Sequence, residues 1–174
     1  MRIRRAVAAD AAALHALAAA TFPLACPPDS TAADQRAFID AHLSADAFRR
    51  YLADPDRALF IGESVEGPAG YTMIVLGEPA DLDVDAVVHA RPTAELSKCY
   101  ALPAAHGTGL AADLVHASIE EARVRGAVSM WLGVNNENAR AQRFYEKQGF
   151  ERVGTKRFRV GERVELDFVY VRPI

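Results

Sequence analysis

Hydrophobic and polar positions along this chain follow two periods, and each period predicts one kind of secondary structure. Runs that alternate or are continuously apolar predict strands at 2–7, 58–63, 69–77, 94–102, 127–134, 151–159 and 163–172. Apolar residues at helical spacing, bounded by caps, glycine or proline, predict helices at 10–20, from Ser30 or Thr31 to Leu43, at 44–54, at 110–126 and through Gln148. Strands and helices in this order predict a mixed α/β fold.

Two stretches interrupt these periods. Residues 21–30 contain three prolines, which argues against a regular helix there. Residues 78–93 are rich in aspartate and are predicted to form an exposed loop. The chain has no internal repeat and no composition typical of a linker, so we expect one domain over 1–174.

Composition narrows the class of protein. Of the 174 residues, 51% are apolar and 25% are charged, which is typical of a globular chain with a core of its own. The formal net charge of −3 argues against a nucleic-acid binder, which needs a basic surplus. Cys26 and Cys99 are too few for a disulfide framework or a zinc site, so no metal is expected.

The N-terminal stretch combines arginines with alanines and superficially resembles a signal peptide. Asp10 and His15 interrupt its apolar part, so a short strand followed by a helix is the preferred interpretation. No run of 18 apolar residues occurs, and we expect neither a membrane span nor a location outside the cytoplasm.

A glycine-containing loop at 103–109, PAAHGTG, connects a predicted strand to a predicted helix. Gly107 and Gly109 lack Cβ atoms, so backbone N–H groups can approach an anion there, beside the positive end of the helix dipole. These features suit a phosphate or pyrophosphate, although a simple tight turn has the same composition. The loop matches neither the P-loop nor the dinucleotide fingerprint.

A second block lies at 131–154, WLGVNNENARAQRFYEKQGFERVG. Its informative positions are Asn138, Ala141, Phe144, Tyr145, Lys147, Gly149 and Phe150. The glycine loop and this block, in this order, resemble those of the GNAT superfamily of N-acetyltransferases. The resemblance implies a mixed, mostly antiparallel central sheet of six to seven strands, flanked by helices and splayed at the fourth and fifth strands. It also implies acetyl-CoA as cosubstrate.

The resemblance further implies which residues bind acetyl-CoA. These are Ala101, Leu102, His106, Gly107, Thr108, Gly109, Leu110, Ala111, Asn138 and Tyr145. Ala104 departs from the family pattern, because glutamine or arginine is usual there. Asn138 is equally suited to cap the following helix.

The resemblance also implies catalytic roles. Tyr145 corresponds to the residue that protonates the departing thiolate, and Glu95 to the general base. A backbone N–H near Ala101–Leu102 is expected to meet the oxyanion. A core tyrosine and a solvated carboxylate remain the structural alternatives. Strand alternation predicts that Lys98 lies on the face opposite Glu95, Ser97 and Cys99.

The acceptor is less well defined. The motifs are similar to the bacterial branch that contains spermidine/spermine acetyltransferases, and residues 1–94 carry a net charge of −5 against +2 for 95–174. Asp81, Asp83 and Asp85 also suit a polycation. A small amine, a protein or peptide amine, and a non-catalytic acetyl-CoA-binding module stay open, as does a homodimer.

Overall fold

The computed structural model describes residues 1–160 and 162–174. Within them, seven strands form one sheet in the order β1-β2-β3-β4-β5-β7-β6. The strands are β1 (Arg2–Arg5), β2 (Arg57–Ser64), β3 (Gly67–Leu76), β4 (Thr93–Ala101), β5 (Ser129–Asn135), β6 (Glu151–Val160) and β7 (Arg163–Pro173). The helices are α1 (Ala11–Ala25), α2 (Ala32–His42), α3 (Ala45–Ala53), α4 (Leu82–Asp85), α5 (Leu110–Val124) and α6 (Ala139–Lys147).

The sheet is mostly antiparallel, and β4 and β5 are its parallel pair. In the described chain these two strands pair only from Thr93 to Glu95 with Ser129 to Trp131. Beyond that point β4 continues to Ala101 and β5 to Asn135, so the strands separate. This arrangement confirms the predicted mixed fold with a splay between the fourth and fifth strands.

Helices cover both faces of the sheet. On one face, α1 and α3 pack through Leu14, Phe22 and Phe48 against β2 and β3. On the other face, α5 packs through Val115 and Ile119 against β3, β4 and β5, and α6 lies beside it. The burial of two apolar layers against one sheet is the main source of stability in such a fold.

Helix ends follow the sequence. The Thr31 hydroxyl accepts the N–H of Asp34 at 3.1 Å, and the Ser44 hydroxyl accepts that of Ala47 at 3.2 Å. After α5, Gly126 takes a positive φ of 89°, which is typical of a residue that ends a helix. Of the two predicted caps Ser30 and Thr31, the structure uses Thr31, and the predicted start at Ser44 and stop at Gly126 are confirmed.

The first helix is longer than the sequence predicts, because α1 continues through Pro23 to Ala25. A proline costs one backbone hydrogen bond, which is tolerable in the last turn of a helix. The Thr21 hydroxyl donates to the Leu17 carbonyl at 2.6 Å, and Phe22 is buried in the core. The stabilisation from packing of this turn exceeds the cost of the hydrogen bond that the proline removes.

The segment 78–93 is also more ordered than predicted. Asp81 accepts the N–H of Asp83 and starts the short helix α4. Val84 and Val88 are fully buried against Trp131 and β7, so this segment covers the sheet rather than forming an exposed loop.

The stretch Ala8–Ala25, which includes α1, is long and apolar enough by composition to cross a membrane, with a mean hydropathy of 1.3. In the fold, Leu14, Leu17 and Ala18 of this helix are buried against the sheet and α3. One face of this helix is therefore packed into the core.

Candidate active site

A cleft of about 1020 Å³ opens where β4 and β5 separate. On the side of α5 and α6 it is lined by the glycine loop and by polar residues of α6. On the other side it is lined by α1, α2 and the strands β6 and β7. A cleft that crosses the sheet in this way can receive one ligand from each face.

The glycine loop enters α5 through two left-handed residues. Gly107 has φ 78° and Gly109, the N-cap of α5, has φ 92°. This backbone region is open to glycine and strained for other residues. The 15-residue helix therefore presents its first N–H groups and the positive end of its dipole to the cleft, as an anion site requires.

His106 and Arg140 meet at the mouth of this anion site. The Nε2 atom of His106 lies 2.8 Å from Nη2 of Arg140 and 3.2 Å from the Ala101 carbonyl oxygen. Because Arg140 can only donate, Nε2 accepts from it and cannot at the same time donate to the carbonyl. The ring therefore orients a guanidinium beside the glycine loop.

Three basic residues of α6 line the same part of the cleft, namely Arg140, Arg143 and Lys147. The motif comparison missed both arginines. Their spacing was the available signal, because residues three and four apart share one face of a helix. Arg140, through His106, places positive charge beside the glycine loop.

Tyr145 lies half-buried on the same helix, with its hydroxyl against the thiol of Cys99 in β4. Burial raises the pKa of Tyr145 well above its ordinary value, so the phenol keeps its proton. Burial also raises the pKa of the Cys99 thiol to about 11. Cys99 is therefore a neutral thiol and not a nucleophile.

A β-bulge in β4 sets which side chains face which side of the sheet. Met73 pairs with Lys98 while Ile74 pairs with Leu96, so Ser97 is the extra residue. The bulge resets the alternation: Leu96 and Cys99 share the α5 face, and Lys98 interacts with Glu95 on the other face. The predicted separation of Lys98 from Glu95 is therefore wrong.

Glu95 lies on the sheet face that carries Trp131, its partner in β5. Burial raises the pKa of Glu95, although the ammonium groups of Lys156 and Lys98 attract the carboxylate. Burial lowers the pKa of Lys98 to about 8, against the pull of Glu95. Glu95 and Tyr145 thus line one cleft from opposite faces of the sheet.

The N–H groups of β4 that were predicted to stabilise the oxyanion point to different edges of the strand. The Leu102 N–H donates to the Ala69 carbonyl at 2.8 Å, so it is engaged within the sheet edge and is not available to a ligand. Successive N–H groups of a strand point to opposite edges, so those of Cys99 and Ala101 face the open edge toward β5.

The remaining predicted cofactor residues surround the glycine loop. Ala111 and Asn138 line the cleft, and Asn138 also caps α6 by accepting the Ala141 N–H at 3.1 Å. The Thr108 hydroxyl donates to the Ala105 carbonyl and holds the loop closed. The Leu110 side chain is fully buried, so only its backbone can face a ligand.

Asp167 of β7 is a cleft residue that the motif comparison missed. It lies beside Lys156 of β6 in the sheet and is only 7% exposed. Burial raises its pKa to about 6, against the attraction of Lys156. Alternation along β7 was the available signal, since it places Asp167 on the face of the buried Val169.

The splayed sheet, the helix N-terminus open to the cleft and the half-buried Tyr145 at the splay form the arrangement that the resemblance to N-acetyltransferases implies. Comparison with known sequences then identifies the family. A sequence model of the Acetyltransferase (GNAT) family matches residues 13–150. The chain is also 45% identical over 165 residues to uncharacterized N-acetyltransferases of Mycobacterium tuberculosis and Mycobacterium bovis, covering 95% of this chain and 98% of each relative. The chain belongs to the GNAT family.

Solved structures show the same fold. A PaiA N-acetyltransferase from Thermoplasma acidophilum, in complex with coenzyme A, matches with a TM-score of 0.79 and 16% identity over 99% of this chain and 98% of that one. A ribosomal-protein-S18-alanine N-acetyltransferase from Escherichia coli matches with a TM-score of 0.66 and 19% identity over 99% and 93%. The family match and the N-acetyltransferase relatives make the chain an acetyl-CoA-dependent N-acetyltransferase.

Proposed function

We propose that this enzyme transfers the acetyl group of acetyl-CoA directly to a primary amine while both substrates are bound. The observation that carries the proposal is the placement of Tyr145 and Glu95 in one cleft, on opposite faces of the sheet. A thioester that enters from the α6 face then meets an amine that enters from the other face. Proximity of this kind replaces a collision in solution and lowers the barrier.

The cofactor is proposed to bind by its phosphates at the glycine loop. The backbone N–H groups of residues 107–111 surround the α5 N-terminus, and Arg140 lies beside them through His106. Ala104 lacks the side chain that is usual in the family, and the guanidinium of Arg140 supplies charge in the same region. Asn138 borders the cofactor while it caps α6.

The amine must lose a proton before it attacks, because an alkylammonium has a pKa of about 10.4 in water. Glu95 is proposed to take that proton, directly or through one water molecule. The burial that raises its pKa makes it a stronger base than a solvated carboxylate. Its place on the acceptor face puts it on the side from which the amine arrives.

Two further groups complete the transfer. The N–H of Ala101 or Cys99, on the open edge of β4, is proposed to stabilise the tetrahedral oxyanion. The new amide bond forms as the C–S bond breaks, and the electron pair of that bond leaves on sulfur. Tyr145 is proposed to donate a proton to this thiolate, and the second proton that the nitrogen loses as the amide forms returns to the phenol through solvent.

The proposal is tested by thiol release from acetyl-CoA in the presence of primary amines. Glu95→Gln is expected to lower kcat/KM for the amine at least tenfold and to remove the loss of activity at acid pH that protonation of Glu95 produces. The matched control is Glu66→Gln, an exposed residue of the β2–β3 hairpin. Tight acetyl-CoA binding without thiol release for any primary amine would instead identify a non-catalytic binding module.

A further inference from the structure

The part of the cleft on the α1 face, here called the acceptor end, combines a charged floor with apolar walls. Its floor consists of Glu95, Lys98, Lys156, Glu165 and Asp167. Its walls consist of Phe22, Leu24, Phe38 and Leu43. The floor favours a charged group of a ligand and the walls favour an apolar group. Together they limit which amines can bind.

The charges of the floor nearly cancel. Lys156 Nζ lies 3.7 Å from the Asp81 carboxylate and also attracts Glu95 and Asp167. Lys98 attracts Glu95, and its ammonium lies 5.5 Å from the centre of the Tyr51 ring. Arg57 and Glu165 also act on these groups, but each has an ion-pair partner of its own, at 2.9 Å and 3.1 Å respectively. The remaining three carboxylates face two ammonium groups, which leaves one negative charge when all are ionised.

Asp167 is the least compensated of the floor carboxylates, because Lys156, Lys98 and Arg57 attract Glu95, whereas Asp167 is attracted by Lys156 and repelled by Glu165. Within residues 1–160 and 162–174, its carboxylate makes no hydrogen bond and no ion pair shorter than 4.0 Å, and it is more than nine-tenths buried. It lies against Gly133, where an added Cβ would meet its Oδ2 atom at 3.2 Å. A buried carboxylate that faces a cavity is stabilised by a cation in that cavity.

The aspartates that suggested a polycation have other partners. Asp81 pairs with Lys156, Asp83 with Arg157 at 3.6 Å, and Asp85 with Arg91 at 2.9 Å. These carboxylates therefore join the segment 78–93 to the sheet and to itself. They do not supply a row of free charges for a polyamine.

The walls are apolar and in part aromatic. The rings of Phe22 and Phe38 are stacked with centroids 4.5 Å apart. Phe22 and Leu43 are buried, while Leu24 is 63% exposed at the rim. The carboxylate of the cleft near this wall, Glu165, is already paired with Arg163 at 3.1 Å. A second ammonium at this wall would therefore lose its hydration without gaining an unpaired carboxylate, which is unfavourable.

On the basis of the proposed transferase function, we propose that the acceptor is a primary monoamine with an apolar body. Its ammonium binds beside Asp167, and its hydrocarbon or aryl chain lies against Phe22 and Phe38. Asp167 is thus the residue that binds the charge of the acceptor, and the apolar wall selects against di- and polyamines. Glu95 retains the role of proton acceptor.

The class of acceptor is tested with amines that differ in one charge. The probes are hexylamine and 1,6-diaminohexane, which share a six-carbon chain, with spermidine as a polyamine. Thiol release at saturating acetyl-CoA gives kcat/KM for each. Hexylamine is expected to exceed both polycations at least tenfold. Equal or better turnover of the diamine or of spermidine would overturn the proposed class and leave the transferase function intact.

Two variants test which residues determine the preference for a monoamine. Asp167→Asn is expected to raise KM for hexylamine at least tenfold with a smaller effect on kcat, because binding and not proton transfer is lost. Leu24→Glu adds a carboxylate at the exposed rim and is expected to shift the preference toward 1,6-diaminohexane at least fivefold. Val124→Glu is the matched control, since Val124 is 84% exposed at the far end of α5. An unchanged ratio in Leu24→Glu would contradict the assigned wall.

Calorimetry separates failure of this inference from failure of the proposed function. Binding of each amine is measured to the enzyme saturated with coenzyme A, which has no acetyl group to transfer. Preferential hexylamine binding without turnover of any amine would refute the transferase mechanism and support the acceptor class. Binding that favours spermidine would refute the acceptor class whatever the turnover.

Discussion

Replacing Tyr145 with phenylalanine removes one hydroxyl from the centre of the cleft and leaves the ring in place. That hydroxyl lies against the sulfur of Cys99, and it is proposed to meet the sulfur of coenzyme A as the C–S bond breaks. The pKa of the Cys99 thiol therefore indicates how stable a thiolate is in this environment. Burial raises its thiol pKa from an ordinary 9.0 to about 11.

The size of the expected defect follows from that pKa. A rise of about two pH units means that a thiolate here, even with the Tyr145 hydroxyl beside it, is less stable than in water by about 2.7 kcal/mol. A donor that protonates the departing sulfur recovers an energy of this order. Its loss is expected to lower kcat about a hundredfold, which lies within the usual range for general acid catalysis.

The assay is thiol release at saturating acetyl-CoA and amine. Tyr145→Phe is expected to lower kcat about a hundredfold while KM for acetyl-CoA changes less than twofold, because the hydroxyl acts in the transition state. Tyr170→Phe is the matched control, since that hydroxyl donates to Glu146 at 3.1 Å. A kcat for Tyr145→Phe within threefold of the parent would refute the assignment of Tyr145 as the acid.

Two further predictions concern the glycine loop and the buried aspartate. Gly109→Ala and Gly126→Ala, at φ 92° and 89° with open space around both, are each expected to lower the free energy of unfolding by about 1–2 kcal/mol. Only Gly109→Ala is expected to raise KM for acetyl-CoA, at least tenfold, and an equal rise in both variants would contradict a loop that binds phosphate. Asp167 has a folded-state pKa of about 6, above its ordinary 3.8, so its ionisation destabilises the fold as pH rises through this range. Urea unfolding of Asp167→Asn should therefore match the parent near pH 3.5 and exceed it at pH 7 by up to about 3 kcal/mol, whereas the same difference at both pH values would exclude this origin.

The regular elements were predictable because their signals are local. Apolar runs identified the strands, and Thr31, Ser44 and Gly126 marked helix ends by their own side chains or by the lack of one. The end of α1 was predicted wrongly at Pro23. The hydrogen bond that a proline removes can be foreseen from the local sequence, whereas the packing that compensates for it involves residues distant in the chain. Phe22 is buried against residues that are distant in sequence, and no pattern near Pro23 records that.

Site residues that lie in sequence motifs were predictable. Those whose position depends on the pairing of neighbouring strands were not. The glycine loop and Tyr145 have recognisable neighbours in sequence. The bulge at Ser97 leaves no mark on β4, whose residues alternate as an unbroken strand would, because it arises from the register with β3. Asp167 was visible in the alternation of β7, but its meaning depends on Lys156, which lies in another strand.

The narrow junction between β4 and β5 has a mechanical consequence. In the described chain, three residue pairs at one end join the block β1–β4 to the block β5–β7 within the sheet. Elsewhere the two blocks are joined by the core under α5, which contains residues of both. Acetyl-CoA bound in the gap would add contacts between the blocks where the strands do not pair, so its binding is expected to raise the free energy of unfolding.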